Sequence, residues 1–271
     1  MKRSARDETA HAISLIRKLI ARRQLAQAEI KSVELAQSGE TAAASELLRS
    51  ISVASRQRVN LEVPEAYHRW YYDNLIWRQR TWAGVTIHKS PLDLWNYQEI
   101  ISELRPELII EFGAAAGGSA LYFADLLNAL HIEKGKVISV DIDLATVDPR
   151  ARACPSIFFI EASSTDEFVL NLLLDERPAA SRAFAILDSD HSETHVYNEM
   201  VELREVLRPG DYLIVEDGNI NGHPVLPEWG KGPFEAIARY VSEYPNDYEF
   251  DREREMAFGW TFSPHGFLIR T

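Results

Sequence analysis

The sequence predicts an α/β protein with a doubly wound, mostly parallel sheet and an N-terminal helical extension. Three observations carry this prediction. From residue 106, short apolar runs alternate with longer helical segments; the last two apolar runs follow each other with no helical pattern between them; and residues 8–58 contain no proline. Alternating strands and helices place a parallel sheet between two helical layers.

Each element follows from a local pattern. Short runs rich in β-branched and aromatic residues, bounded by polar residues, are typical of buried parallel strands. A closing pair of strands, Tyr248–Arg254 and Gly266–Arg270, is predicted to be joined without a helix, so that the last strand runs antiparallel. The other strands are predicted near 108–112, 136–141, 156–160, 183–188 and 211–216, and helices near 117–130, 165–174, 193–207 and 232–244.

Residues 1–60 are predicted to form the helical extension, and residues 61–271 the main domain. Isoleucines at positions 13, 16 and 20 fall at helical spacing, Gly39 punctuates the pattern, and a second helix is predicted around 41–56. We interpret this extension as a helical hairpin that covers the main domain or joins subunits. The second possibility favours a homo-oligomer.

Composition narrows the classes of function. The net charge of −12 is uneven, because residues 1–60 hold 11 Lys and Arg against 6 Asp and Glu, whereas the remainder hold 18 against 35. An acidic main domain disfavours nucleic acid as a partner. The sequence shows no apolar run long enough to span a membrane, no secretory pattern at its start, and a single cysteine, Cys154. A cytoplasmic protein without a membrane partner is expected.

Residues 61–98 form the most aromatic part of the chain. No clean periodicity runs through this segment, and its rings are expected mostly to pack in the core. The alternative interpretation is a lid that lines a substrate site.

A turn of small residues predicts a ligand site. The strand at 108–112 is followed by small side chains throughout 113–119, and the next strand ends at Asp141. Small residues let a ligand approach the backbone, and the following helix offers free N–H groups. An acid at the end of the second strand can accept both hydroxyls of a ribose. Simple close packing is the alternative explanation of the turn.

Two cofactors fit a site of this kind, NAD and S-adenosylmethionine. The turn lacks the Gly-x-Gly-x-x-Gly fingerprint, and Glu111 would repel a pyrophosphate but not a sulfonium-bearing amino acid. S-adenosylmethionine is therefore favoured, although Ser163 and Ser164, placed to touch its adenine, could instead cap the next helix. The predicted donor-binding residues are Glu111, Gly113, Ala114, Gly117, Ser119, Asp141, Ser163 and Ser164.

Two predicted strands end in acids. Phe184–Leu187 is followed by Asp188, and Tyr212–Val215 is followed by Glu216 and Asp217. Ligands of α/β sheets bind at the carboxyl ends of the strands, where neighbouring ends lie roughly 5 Å apart. Gathered carboxylates are costly without a compensating cation, and oxygen ligands suit Mg²⁺. The pattern favours a metal-assisted active site over acids that merely cap helices or face solvent.

Eight short stretches combine into a recognisable pattern. They are Trp82–Val85, Pro91–Trp95, Tyr97–Gln98, Glu111–Gly113, Gly117–Ala120, Val140–Asp143, Leu187–His191 and Glu216–Asp217. This combination resembles the cephalosporin hydroxylase / rhamnosyl O-methyltransferase family over roughly residues 65–271. The resemblance implies a class I methyltransferase with a seven-stranded sheet whose last strand is antiparallel, and it implies S-adenosylmethionine and a divalent cation, usually Mg²⁺. By this resemblance, Asp188, Glu216 and Asp217 match the metal-ligand positions.

His191, three residues beyond Asp188, is predicted to take the proton of an acceptor hydroxyl, since histidine titrates near neutral pH. The alternatives are that His191 lies around the metal ligands without binding the metal itself, or that it is an ordinary surface histidine. Asp190 is predicted to be a fourth ligand or to orient His191. The Gly/Pro-rich loop 218–233 is interpreted either as a lid over the substrate or as a rigid surface loop.

The sequence thus predicts an O-methyltransferase that depends on S-adenosylmethionine and a divalent metal. Its acceptor is expected to be a small molecule, through a hydroxyl of a sugar or natural product. Two alternatives stay open. One is an NAD-type oxidoreductase using the same crevice, and the other is a non-catalytic assembly partner with a vestigial donor site in a hydroxylase or methoxylation system.

Overall fold

The computed structural model describes residues 5–21, 25–40, 43–44, 47, 62–177 and 179–271. The chain divides into two compact units, residues 1–63 and 64–271. Among the described residues, no helix combines the length and the apolar character needed to cross a membrane.

The first unit contains helices α1 (Ala5–Ala21) and α2 (Leu25–Gln37). They pack together through a small apolar cluster that includes Ile16, Ala28 and Leu35. Beyond α2, Gly39 adopts a φ of +98°, in agreement with its predicted role as punctuation. The second helix predicted around 41–56 lies largely outside the described residues.

The aromatic segment folds into helices around a short hairpin. Helix α3 spans Glu62–Asp73, a 3-10 helix spans Ile76–Gln79, β1 (Thr81–Trp82) pairs with β2 (Val85–Thr86), and α4 spans Pro91–Leu104. The sequence interpretation missed α4, although Ser90 is its N-cap and Pro91 its first residue, a common helix start.

The rings of this segment divide between core and surface. Tyr71, Tyr72 and Tyr97 are buried, as expected of core residues. In contrast, Trp70 and Trp95 are more than half exposed, at 53% and 58%. The core interpretation therefore holds for only part of the segment.

A seven-stranded sheet forms the centre of the second unit, in the order β5-β4-β3-β6-β7-β9-β8. All neighbouring strands are parallel except at β9, which is antiparallel to both β7 and β8. This confirms the predicted fold class. The strands are β3 (Leu108–Phe112), β4 (Lys136–Asp141), β5 (Ile157–Glu161), β6 (Ala183–Leu187), β7 (Tyr212–Val215), β8 (Tyr248–Phe250) and β9 (Phe267–Arg270).

Helices cover both faces of the sheet. One apolar cluster joins one face to α4 and α5, and a second joins the other face to α7, α8 and α9. The strand order reverses between β3 and β6, which places a crevice at their carboxyl ends. The helices are α5 (Gly118–Ala129), α6 (Pro149–Arg152), α7 (Glu167–Glu176), α8 (Glu193–Val206), α9 (Pro233–Glu243) and α10 (Arg252–Glu255).

The closing segment corrects one prediction. The strand expected over 248–254 ends at Phe250, and the short helix α10 follows where no helix was expected. Asp251 explains the difference, because its side chain accepts a hydrogen bond from the backbone N–H of Arg254 and caps that helix.

Candidate active site

The turn after β3 is shaped by two close approaches of the backbone. At Gly113, with a φ of +96°, an added Cβ would lie 2.0 Å from the carbonyl oxygen of Asp188. At Gly118, it would lie 2.1 Å from the carbonyl oxygen of Thr86. Only glycine fits either position. Close packing therefore explains both glycines, and it brings the end of β6 and the segment after β2 beside the turn.

Asp141 at the end of β4 holds this turn in place. Its Oδ2 accepts hydrogen bonds from the backbone N–H groups of Ala114 (2.9 Å) and Ala115 (3.0 Å). Its Oδ1 lies 3.2 Å from the N–H donor of Asp143. The carboxylate predicted to bind a ribose thus also fixes the backbone around the ligand site.

Glu111 is fully buried beneath the turn. The hydroxyl of Ser139 donates to its Oε2 at 2.5 Å, whereas its Oε1 has no hydrogen-bond partner among the residues that the structure describes. Burial raises the pKa of Glu111 to about 7, against the opposing effects of the Lys89 charge and the Ser119 and Ser139 hydroxyls. A buried carboxylate oxygen without a partner is suited to a ligand that brings a donor.

A cavity of about 500 Å³ opens at the carboxyl ends of β3 to β6. Its size suits a nucleoside-containing cofactor. The lining residues are Gly113, Ala115, Val140, Asp141, Ile142, Ala162, Ser163, Ser164, Asp188, Ser189, Asp190 and His195. Four predicted donor-binding residues are thus at its wall. The other four, Glu111, Ala114, Gly117 and Ser119, belong to the strand end, turn and helix start that support it.

A buried carboxylate supports one side of this cavity. Glu199 on α8 is fully buried, and its Oε1 accepts hydrogen bonds from the hydroxyls of Ser164 and Ser189, both at 2.5 Å. The same oxygen lies 3.2 Å from Nε2 of His195, and this contact raises the pKa of His195. The cap of α7 is Asp166, so Ser164 serves this network rather than the helix.

Three side chains converge at the ends of β6 and β7. Asp188, His191 and Asp217 each offer a ligand atom, and these atoms all lie within 4.8 Å of one another. Nε2 of His191 lies 3.2 Å from Oδ2 of Asp217. The two strands are parallel neighbours, which brings their ends together as the sequence predicts.

Glu216 faces inward, away from this group of three. It is 2% exposed, and its Oε1 accepts a 2.6 Å hydrogen bond from the hydroxyl of Tyr97. Nζ of Lys89, itself 1% exposed, forms an ion pair with Asp188 and lies 3.6 Å from Oε1 of Glu216. Asp188 and Glu216 therefore share one buried ammonium, and Asp217 lies beside Asp188 in the group of three.

The electrostatics show an excess of negative charge. Burial alone would lower the pKa of Lys89, but Asp188 and Glu216 outweigh burial and raise it. Burial and the charge of Asp188 raise the pKa values of Glu216 and Asp217, against the opposing charges of Lys89 and His191. Lys89 neutralises only part of the cluster, and a further cation would stabilise the ionised acids.

Asp190 lies on the donor-cavity side of the turn. Its Oδ1 accepts a 2.8 Å hydrogen bond from the backbone N–H of Ser192, and the Ser192 contacts lower its pKa. This oxygen shapes the turn before α8. Its proposed roles as a fourth ligand or as the partner of His191 stay predictions.

Sequence reasoning missed Lys89, Tyr97 and His195 as site residues. Lys89 carries a weak signal, since it is the one lysine in 61–98. His195 lines the cavity from α8, although the sequence pattern singles out only His191. Tyr97 reaches Glu216 across 119 positions of sequence, a contact that local patterns do not predict.

The strand order, the antiparallel β9 and the cavity at the switch point define a class I methyltransferase fold. Residues 74–271 match the family described as Rhamnosyl O-methyltransferase/CmcI. The chain belongs to this family. It is therefore an O-methyltransferase of the class that takes its methyl group from S-adenosylmethionine.

Similar proteins include the rhamnosyl O-methyltransferases of Mycobacterium tuberculosis (strain H37Rv) and Mycobacterium leprae. The first is 52% identical over 227 residues, covering 83% of this chain and 91% of the relative. The second is 52% identical over 212 residues, covering 77% and 90%.

Two solved structures share the fold. The apo structure of CmcI-N160 superposes with a TM-score of 0.58 at 26% identity, covering 72% of this chain and 77% of that one. CmcI-D160 with Mg and SAM superposes with the same TM-score at 25% identity and the same coverage.

Proposed function

We propose that this protein methylates a hydroxyl of a rhamnosyl or closely related sugar, with S-adenosylmethionine as donor and Mg²⁺ as required cation. The observation that carries the proposal is the position of Asp188, which both lines the donor cavity and belongs to the acid cluster. One side chain thus joins the two halves of a methyl-transfer site. Adjacent binding of donor and acceptor supplies the proximity that the reaction needs.

The cavity fits the donor. Asp141, with the amides of the turn fixed around it, is proposed to accept the ribose hydroxyls. Ala162, Ser163 and Ser164 line the part of the cavity at the end of β5, where we place the adenine. Glu111, whose Oε1 has no hydrogen-bond partner in the described part of the chain, is proposed to attract the positively charged amino acid end of the donor.

The acid cluster fits a divalent cation. Asp188 and Glu216 contact one buried ammonium, and Asp217 lies beside Asp188. When all three carboxylates are ionised, the ammonium leaves two negative charges uncompensated. Asp188 and Asp217 are proposed to hold Mg²⁺ directly, and Glu216 to contribute charge from its buried position beside Lys89 and Tyr97. When bound, Mg²⁺ makes a coordinated hydroxyl more acidic and fixes its position.

His191 is proposed to take the proton of the acceptor hydroxyl. Its Nε2 lies in the converging group, and Asp217 at 3.2 Å can orient the ring and stabilise the imidazolium that forms. Mg²⁺ prefers oxygen ligands, which leaves the imidazole free for this task.

The acceptor class follows from the relatives. At 52% identity over most of both chains, the mycobacterial proteins are named rhamnosyl O-methyltransferases. We therefore propose a rhamnoside as the acceptor of this chain as well.

The test is methylation of p-nitrophenyl α-L-rhamnopyranoside by the purified protein with labelled S-adenosylmethionine. We expect transfer with Mg²⁺, none with excess chelator, and a loss of roughly a hundredfold in kcat for His191→Ala. Full activity in chelator would refute the metal requirement. Donor binding without any methylation of rhamnosides would refute the acceptor class.

A further inference from the structure

The acceptor has to approach the cluster from the side away from the donor. Methyl transfer requires the acceptor oxygen in line with the methyl group, opposite the departing sulfur. Asp188 faces the donor cavity, whereas His191 and Asp217 extend the cluster beyond it. The body of the acceptor therefore lies against the elements on the far side of Asp217 and Asp188.

The segment after β2 crosses this edge of the sheet. The carbonyl of Thr86 approaches Gly118, and Lys89 contacts Asp188. Ile87 and Lys89 are buried, at 2% and 1%, whereas His88 between them is exposed. In an extended segment, alternate side chains face opposite ways. His88 therefore faces outward at the place where Lys89 faces inward to Asp188. Partial burial lowers the pKa of His88, and the charge of Asp188 opposes this shift.

Tyr72 lies at the other end of the cluster. It packs with Ile220 and Val225, which follow Asp217 in the chain, and its ring centroid lies 5.6 Å from that of Phe262. Burial raises the pKa of its phenol, and the charge of Asp217 raises it further. The packing against Ile220 and Val225 places Tyr72 beside the loop that follows Asp217.

Trp77 connects these two rings. Its ring centroid lies 5.7 Å from Tyr72 and 5.6 Å from His88, which it meets edge to face at 88°. The guanidinium of Arg78 lies 5.0 Å from the Trp77 ring and helps to fix it. A continuous aromatic wall therefore runs from the loop after Asp217 to the neighbour of Lys89, and it consists of the buried Tyr72, the partly buried Trp77 and the exposed His88.

We propose that the accessible part of this aromatic wall, Trp77 and His88, binds the sugar ring of the acceptor while the buried Tyr72 supports it from behind, with Trp77 as the central specificity-determining residue. The inference rests on the proposed function and adds the residues that select the acceptor. The C–H faces of a sugar are apolar and pack on aromatic rings, while its hydroxyls point to polar groups. A wall beside an acid cluster offers both kinds of contact to one sugar.

The test compares Trp77→Ala with Trp95→Ala, a matched control at an exposed tryptophan of α4 whose indole N–H donates to Glu99. Kinetics use p-nitrophenyl α-L-rhamnopyranoside, S-adenosylmethionine and Mg²⁺, and calorimetry measures S-adenosylhomocysteine affinity. We expect Trp77→Ala to raise KM for the rhamnoside by about tenfold. Its kcat and S-adenosylhomocysteine affinity should stay close to wild type. Trp77→Phe should recover part of the KM, and Trp95→Ala should change nothing.

Three outcomes would overturn the inference. An unchanged KM in Trp77→Ala, with wild-type methylation intact, would refute the wall and leave the proposed function standing. A parallel loss of S-adenosylhomocysteine binding and thermal stability would show that Trp77 only packs the core. If the wild type neither methylates nor binds the rhamnoside in saturation-transfer NMR, the proposed acceptor class fails, and the sugar-binding wall fails with it.

Discussion

Two buried ion pairs lie at opposite edges of the same sheet, and they differ in the balance of positive and negative charge. At the amino edge, Arg177 meets Asp211, with side chains 1% and 0% exposed. At the carboxyl edge, Lys89 meets Asp188 and Glu216. In the first pair one cation contacts one acid, whereas in the second, one cation contacts two acids.

The pair at the amino edge is closed. Both oxygens of Asp211 accept from Nη2 of Arg177, at 2.9 and 2.7 Å, and they also accept from the backbone N–H groups of Ala183 and Arg208. These contacts join the starts of β6 and β7. Such a network leaves the carboxylate nothing to offer a ligand, which is typical of a structural ion pair.

The cluster at the carboxyl edge is open. Its acids outnumber its buried cation, burial raises the pKa values of Glu216 and Asp217, and Asp188 also faces a cavity. Charge imbalance is costly in a fold unless a ligand compensates it. The comparison therefore separates an ion pair that stabilises the fold from the cluster that we propose as a ligand site.

The largest expected effect comes from Asp188→Asn. The amide keeps the shape but removes the charge shared by the cation and Lys89, so we expect Mg²⁺-dependent methyl transfer to fall about a thousandfold, or ~4 kcal/mol in transition-state stabilisation. Donor binding should persist, since the cavity has many other contacts. Steady-state kinetics and S-adenosylhomocysteine calorimetry measure the two. The exposed Asp175→Asn on α7 is the control and should keep full turnover; equal turnover in both variants would contradict the account.

Asp211→Asn should act on the fold instead. It leaves the Arg177 guanidinium buried without its counter-charge, which we expect to cost about 3 kcal/mol of unfolding free energy. Urea unfolding measures the loss, and S-adenosylhomocysteine affinity below the transition should match wild type. Glu65→Gln, which removes an exposed pair with Arg69, should leave the unfolding midpoint unchanged. Loss of catalysis in a stable Asp211→Asn protein would break the comparison.

Lys89→Met tests the charge count of the cluster. Methionine conserves volume, and removal of the ammonium removes a repulsion that grows with the charge of the bound ion. We expect the preference for Tb³⁺ over Mn²⁺ to rise about tenfold, as measured by luminescence and competition. The ratio of the Tb³⁺ and Mn²⁺ affinities is not affected by structural changes that weaken the binding of both ions equally. Lys136→Met, at the amino edge beside Glu176, is the control. An unchanged ratio in Lys89→Met would mean that the ammonium does not act on the ion.

The smallest effect is a pH dependence of donor affinity. Burial raises the pKa of Glu111 to about 7, with Lys89 and Asp188 among the charges that act on it. The carboxyl is therefore mostly protonated at pH 6 and mostly ionised at pH 8. Affinity for S-adenosylhomocysteine should therefore rise a few-fold, about three- to fivefold, from pH 6 to pH 8. Glu111→Gln should flatten this profile in calorimetry; an equally steep profile in that variant would assign the titration elsewhere.

The same group affects folding with the opposite sign. Because the folded pKa of Glu111 lies above its ordinary value of 4.5, its contribution favours folding below about pH 4.5. That contribution is lost as the pH rises through about 7. Donor binding and folding of the unliganded protein thus respond to Glu111 in opposite directions.

The sequence was sufficient for features that depend on local patterns. The alternation of apolar runs and helical segments after residue 106 specifies the parallel strands. Because two of these apolar runs end just before the acids, the sequence places Asp188 and Asp217 at one edge of the sheet. The inward orientation of the Glu216 side chain could not be predicted from the sequence. It depends on Tyr97 and Lys89, which are more than 100 positions away in the chain. The burial of Lys89 among these acids is a property of the packed fold.

The most direct test of the open cluster is an anomalous-difference map of crystals grown with Mn²⁺ and S-adenosylhomocysteine. The account predicts one strong peak per chain within about 2.5 Å of carboxylate oxygens of Asp188 and Asp217, and none at the closed pair of Arg177 and Asp211. A map with no peak at Asp188 and Asp217, while S-adenosylhomocysteine fills the cavity, would contradict it.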